Sequence, residues 1–271
     1  PGQAMGRRTA SQCHDRLRSA FCGNSPQPRT AVRRSSSSLS LVAAGMAAVS
    51  DHANLPDPLA LLEQVSALDR PDAVLRWLQQ GHQRFLAGQS LHPNSTRERM
   101  QAVVEGQQPL AAVLGCADSR VPVELLFDSG FGDLFVVRNA GTMSTTAAIA
   151  SLEYAVGHLD VPLIVVLGHE ACGAVSAALH PELRLTPSLA QVVGQLRMEL
   201  LQYGDKLTLE ESCRRHTLSA AGNLVHSSVL LTDRLRAGEL AVVAGYYDLH
   251  NSSIDWMGPV EPISYPGPAR G

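Results

Sequence analysis

The chain is short of aromatic residues, at 4% of 271, and of charged ones, at 17%. So few aromatics make a poor stacking platform for single-stranded nucleic acid, and a net charge of −3 gives no general hold on phosphate backbones. No nucleic-acid partner is expected. No apolar stretch approaches the roughly 20 residues that a membrane span requires, so none is expected either. Cysteine is scarce and uneven: Cys13 and Cys22 near the start, then Cys116, Cys172 and Cys213. Three thiols in a core of this size make no disulfide framework, which favours an intracellular or metal-binding reading. No internal repeat of solenoid period is visible. What the chain does have is apolar material, 45% of its residues, ample for a core and too much for a disordered chain. Its length exceeds one average domain, yet a single α/β domain can run past about 200 residues. The low charge also hints at surface buried against a partner.

The first 50 residues differ from the rest. They hold seven Arg and a single acid, Asp15, a local balance of +6 that leaves −9 for the remaining 221 residues. Four serines follow Arg34, and an Ala-rich apolar run extends from Leu39 to Val49. An Arg- and Ser-rich, acid-poor stretch fits an organelle transit peptide, while Arg33-Arg34, the apolar run and Ala48-Val49-Ser50 loosely resemble an export signal. A plain disordered leader is the third reading, with Met46 as a candidate initiator. Residues 1–53 are therefore taken as a leader and 54–271 as the folded domain.

Helical and strand patterns alternate through that domain. Leu61, Val65 and Leu68 mark one helical face, and Val74, Trp77, Leu78, Phe85 and Leu86 another, so two amphipathic helices are expected before Gly88. Leu110 to Gly115, Leu134 to Val137 and Pro162 to Gly168 are short apolar runs bounded by Gly, Pro or Asp, the pattern of buried parallel strands. Ala147 to His158 reads as the crossover helix of a βαβ unit. Ser188 to Leu201 and Glu210 to Arg236 read as further helices, and Glu239 to Leu249 as a last strand. The expected fold class is α/β, a mostly parallel sheet flanked by helices. In such sheets chemistry collects beyond the carboxyl ends of the strands.

Two of those ends carry reactive residues. Leu114-Gly115 leads into Cys116-Ala117-Asp118-Ser119-Arg120, and Leu167-Gly168 leads into His169-Glu170-Ala171-Cys172-Gly173. Taken singly, a buried Cys is most often a small core residue and a lone His seldom a ligand. Here, though, two thiols and an imidazole follow strands of one presumed sheet. Such a set suits Zn²⁺, and three protein ligands leave a fourth position open, as in catalytic rather than structural zinc sites. Asp118 and Arg120 lie two and four residues past Cys116, close enough to act there as a hydrogen-bonding pair.

These motifs together resemble the signature of the β-class carbonic anhydrases. The likeness extends to Phe135-Val136-Val137-Arg138-Asn139-Ala140-Gly141, to Ser151-Leu152-Glu153-Tyr154-Ala155-Val156 and to Ala244-Gly245-Tyr246-Tyr247-Asp248-Leu249, and spans roughly residues 70 to 257. It implies zinc held by Cys116, His169 and Cys172, an Asp118–Arg120 pair beside the reacting water, and reversible hydration of carbon dioxide to bicarbonate and a proton. It implies substrate-pocket roles for Gln107, Tyr154 and the backbone N–H of Gly173, with Gln107 and Tyr154 serving a neighbouring subunit across a dimer interface. A homodimer or higher oligomer follows, with early helices as an N-terminal arm around the partner. Asp118 is expected to become a fourth metal ligand in a closed state, and Arg120 to oppose this by pairing with it.

Some positions depart from the family pattern. Glu170 stands where a small polar residue is more usual, and is expected to face solvent. Val113 replaces a Trp that one subgroup uses in an inhibitory bicarbonate site, which argues against that regulation here. Arg138 is expected to brace loops or an interface. Carbon disulfide and carbonyl sulfide hydrolases of the same family, and a non-catalytic bicarbonate-binding or scaffold protein, are the alternatives. The expected location is cytoplasmic, including a carbon-fixing compartment, with export or organelle targeting by residues 1–50 left open.

Overall fold

The computed structural model describes residue 60 and residues 63–204 and 206–261. The leader assigned to residues 1–53, with its targeting readings, lies outside them, as does Leu61. In chain order the elements are α1 (Arg70–Leu86), α2 (Arg97–Ala102), β1 (Ala111–Cys116), α3 (Val123–Leu126), β2 (Leu134–Asn139), α4 (Thr146–His158) and β3 (Leu163–His169). There follow α5 (Gly173–Leu179), α6 (Pro187–Leu201), α7 (Leu209–His226), α8 (Val229–Arg236), β4 (Ala241–Tyr247) and β5 (Ile254–Pro259).

The five strands form one sheet in the order β2-β1-β3-β4-β5. The first four are parallel, and β5 runs antiparallel to β4 along the edge. Strands β1 and β3 are buried at every position, because alternate side chains enter different apolar layers. Ala112, Leu114, Ile164 and Val166 join residues of α4, α7 and α8, such as Leu152, Leu224 and Leu231. Ala111, Val113, Leu163, Val165 and Leu167 join Val74 and Leu78 of α1 with Leu126 and Phe127. A third apolar cluster, built from α5, α6 and α7, contains Cys116, Cys172, Cys213 and Tyr246.

The strand order has a functional consequence. From β1 the chain crosses to β2 on one side, then returns to place β3 on the other. Adjacent strands whose connections depart in opposite directions leave a crevice at their carboxyl ends, the topological switch point of an open α/β sheet. Cys116 ends β1 and His169 ends β3. Gly115 is in register with Leu167, so the two ends lie side by side.

Local chemistry sets the helix boundaries. Thr145 caps α4 by accepting the Ala148 N–H, Pro187 opens α6, and Thr208 with Glu211 forms a capping box on α7. The sequence pattern differs from the structure in several places, among them α2 and α3, which it does not mark, and β2, which is half-buried rather than buried. Ala60 and Glu63 are helical, but Val65 lies in a bend and Leu68 in a turn, so the first of the two helices expected before Gly88 does not extend to Leu68, while the second stands as α1. The single helix expected from Glu210 to Arg236 is two, because Ser228 caps α8 by accepting the Leu231 N–H while donating to the Glu153 carboxylate at 2.5 Å. Strand β5 was not anticipated; Asp255, Gly258 and Pro259 give it no apolar alternation, as befits an edge strand. Among the described residues no helix is long and apolar enough to cross a membrane.

Candidate metal centre

Three buried side chains meet at the switch point. Cys116, His169 and Cys172 place their ligand atoms within 4.8 Å of one another. Cys116 and His169 arrive on neighbouring strands, and Cys172 returns to them through a three-residue turn at whose end it caps α5. Ala171 takes a left-handed backbone, φ 51°, a conformation that costs a non-glycine residue about 1–2 kcal/mol. Close packing aims the imidazole as well. At Gly168, the residue before it, a β-carbon would collide with the Thr217 hydroxyl of α7, so only glycine lets helix and strand approach this far.

Hydrogen bonding determines which ring nitrogen of His169 is available. Nδ1 lies 2.8 Å from the Glu170 carbonyl, which can only accept, so Nδ1 carries the hydrogen. Nε2 is left with a lone pair, is buried, and has no hydrogen-bond partner. Such an orphan normally costs stability unless something occupies it. Both neighbouring cysteines are unpaired thiols. Cys116 is pulled down chiefly by a hydrogen bond from Cys172, against the opposing effect of burial. Cys172 is pushed up because it shares its proton with Cys116 and is buried. Soft sulfur donors with one imidazole lone pair fit zinc.

Asp118 borders this cluster, its Oδ2 4.0 Å from His169 Nε2. Arg120 grips it with two prongs, Nε to Oδ1 at 3.0 Å and a terminal nitrogen to Oδ2 at 2.8 Å, and adds its backbone N–H to Oδ1 at 2.9 Å. The side-chain hydrogen bond is the main reason that the Asp118 carboxyl is held at about 2. The same guanidinium reaches the Ala171 carbonyl at 3.4 Å, tying the two ligand loops together. Arg138 braces the first loop, donating to the Cys116 carbonyl at 2.8 Å and the Asp118 carbonyl at 2.6 Å.

Other residues singled out in the sequence fall further out. Gly173 opens α5 beside Cys172. Gln107 is exposed on the segment before β1, and Tyr154 is 47% exposed on α4, its ring near those of Phe135 and His158. Within one chain neither side chain is enclosed at the cluster. Glu170 does more than face solvent: its carboxylate accepts from the Leu249 N–H at 3.0 Å and pairs with His250 at 2.7 Å, fastening the ligand loop to the β4–β5 turn. The sequence pattern did not single out His216, buried on α7 with partners on both ring nitrogens. Its one signal is a histidine on the face that carries Cys213, Thr217 and Ala220.

Comparison with known proteins agrees with this arrangement. The family model described as "Carbonic anhydrase" matches residues 111–254, from the first residue of β1 to the first of β5. Carbonic anhydrase 2 of Mycobacterium tuberculosis is 40% identical over 187 residues, 66% of this chain and 89% of that protein. The carbonic anhydrase of Mycolicibacterium smegmatis is 40% identical over 191 residues, 68% of this chain and 92% of that one. Among solved structures, a tetrameric β-carbonic anhydrase of Sordaria macrospora superposes with a TM-score of 0.53 at 25% identity, covering 59% of this chain and 85% of that one. The β-carbonic anhydrase CafA of Aspergillus fumigatus gives 0.53 at 26%, covering 61% and 83%. With this fold, and with a Cys-His-Cys cluster at its switch point, the chain belongs to the β-carbonic anhydrase family, whose reaction is the hydration of carbon dioxide.

Proposed function

We propose that this chain hydrates carbon dioxide reversibly at a zinc ion held by Cys116, His169 and Cys172, and that it works as a homo-oligomer. The observation that carries this reading is the orphaned Nε2 of His169, a buried lone pair in a cluster with two buried, unpaired thiols. Zinc supplies Lewis acidity that makes water a usable nucleophile near neutral pH. A centre with two thiolates is formally neutral and acidifies water less than one with three imidazoles, so neighbouring side chains must contribute.

Asp118 fits that task. Its carboxylate would accept a hydrogen bond from the nucleophilic water and orient it toward carbon dioxide. Arg120 keeps the carboxylate ionised and paired; without that grip Asp118 would be free to serve as a fourth ligand to the ion, a closed state. Arg138 holds the backbone on which both Cys116 and Asp118 ride. The Gly173 N–H, at the start of α5, suits a substrate oxygen. Gln107 and Tyr154, solvent-facing in one chain, suit the pocket of a neighbouring subunit, and the tetrameric relative from Sordaria macrospora supports an oligomer. The three unpaired thiols among the described residues suit a reducing compartment, the cytoplasm.

Stopped-flow carbon dioxide hydration with zinc-quantified protein tests the reading. About one zinc per chain is expected, with Cys172→Ser losing both metal and turnover. Full zinc occupancy and full activity in that variant would overturn the ligand set. Stoichiometric zinc without turnover in the unaltered protein would instead favour a bicarbonate-binding role.

A further inference from the structure

A largely buried polar chain, Glu199–His216–Gly141, is not used by the proposed reaction. Glu199 of α6 accepts from His216 Nδ1 at 2.8 Å, and His216 Nε2 meets the Gly141 carbonyl at 2.5 Å. The loop that carries Gly141 lies against the metal cluster: Asn139, two residues before Gly141, is in register with Cys116, its carbonyl accepts the Ala117 N–H at 2.8 Å, and the Gly141 N–H is placed to support the Cys116 sulfur. Thus one residue of the β2–α4 loop faces a helix-borne imidazole with its carbonyl and a sulfur of the metal cluster with its N–H.

Gly141 is suited to this place and little else is. Its φ of +80° lies in the left-handed region, and a β-carbon there would sit 3.0 Å from Ala174 Cβ and 3.3 Å from Leu196 Cδ1. The loop is closed on itself by Asn139, whose side chain accepts from the Met143 N–H and donates to the Met143 carbonyl, both at 2.7 Å. That closure ties Asn139 to Met143 but does not contact Gly141 between them. His216 holds the Gly141 carbonyl directly. The Gly141 carbonyl can only accept, so Nε2 is the donor to it, while Nδ1 faces the Glu199 carboxyl group. With its side chain 4% exposed, His216 lacks water as a substitute partner.

We propose that Glu199 and His216 are positioning residues for the metal centre: they fix the Gly141 peptide so that its N–H supports the Cys116 sulfur as a zinc ligand. The proposal rests on Cys116 being a ligand. Partners of ligands tune metal affinity, commonly by about 10–100-fold when removed. A purely structural link between α6, α7 and the loop would alter stability without altering the metal.

The test uses the zinc-loaded protein and two substitutions that divide the imidazole's contacts. His216→Gln places its amide where Nε2 stands and keeps the Gly141 hydrogen bond; His216→Asn reaches only toward Glu199. Zinc retention against a competing chelator and the thiolate-to-metal absorption of the cobalt-substituted protein are read for both, beside thermal stability. H216N is expected to hold zinc at least about tenfold more weakly and to shift the cobalt–thiolate band, while H216Q stays close to the unaltered protein. Equal loss in both variants, or unaltered zinc retention and spectrum in H216N, would overturn the positioning role. Should H216N fail to fold, Glu199→Ala carries the same test: weaker zinc retention is expected, and unchanged retention overturns the proposal. Cys116→Ser separates the two levels, since undiminished zinc binding there would overturn the ligand assignment itself.

Discussion

Removing Arg120 isolates the contribution of the grip on Asp118. In Arg120→Ala the carboxylate loses both side-chain prongs, while the backbone N–H of residue 120 still reaches Oδ1. A carboxyl held at about 2 rather than its ordinary 3.8 corresponds to about 2.5 kcal/mol in favour of the charged, paired form. Part of this comes from the remaining N–H, and the Arg120 side chain is 45% exposed, so solvent screens the pair. About 1–2 kcal/mol is left for the guanidinium. Once released, Asp118 lies close enough to the cluster, 4.0 Å from His169 Nε2, to compete for the fourth position on the metal. Stopped-flow hydration across pH should then show turnover lower by roughly 5–30-fold near neutrality, with partial recovery at higher pH where hydroxide competes better. Zinc content should stay near one per chain, since no ligand is touched. Metal-edge spectroscopy at low and high pH would report the exchange of a protein oxygen for solvent. Unaltered activity at pH 6.5 to 8.5 in Arg120→Ala, with an unchanged coordination shell, would refute the reasoning.

Two further outcomes follow from the structure. Asp128 is fully buried; burial alone would raise its carboxyl, but Arg84 at 2.6 Å and the N–H groups of Leu91 and His92 outweigh it and hold it below the usual value. Asp128→Asn keeps the shape and the tolerance of φ 47° while removing the charge, and should cost about 1.5–3 kcal/mol at pH 7. Because the folded-state value lies below the unfolded one, that stability is present above about pH 4 and fades as pH falls; a gap between the two proteins that stays constant from pH 7 to pH 3 in thermal melts would contradict it. The described residues contain the whole candidate site, so a chain beginning at Met46 should fold and hydrate carbon dioxide like the full-length one; an insoluble or inactive product would assign residues 1–45 a structural part.

The Cys116–His169–Cys172 cluster was legible in the sequence because the fold delivers it at strand ends. Apolar runs too short for helices, stopped by Gly115 and Gly168, mark buried parallel strands whose next residues are Cys116 and His169. The partner of Asp118 was legible because it is local, two residues away. Less visible is whatever depends on how helices pack. His216 meets Gly141 from 75 residues away and Glu199 from 17, and no periodicity reports either encounter. The break between α7 and α8 was hidden because apolar positions continue through Leu224, Val225, Val229 and Leu231; only the capping serine marks it. Glu170 appeared solvent-facing because its partners, Leu249 and His250, lie 79 and 80 residues further on.

The side-by-side ends of β1 and β3 also bear on how the protein would acquire the proposed metal. Cys116 and His169 are brought together only after the intervening α3, β2 and α4 have been laid down and β3 has docked on the far side of β1. Closing a segment of that length is a late and entropically costly event in folding. A nascent or unfolded chain therefore presents His169 and Cys172 as a local pair and lacks the third ligand. Tight capture of the ion becomes a report that the central strands have paired in register, and added zinc should raise the stability of the finished fold far more than it hastens its formation.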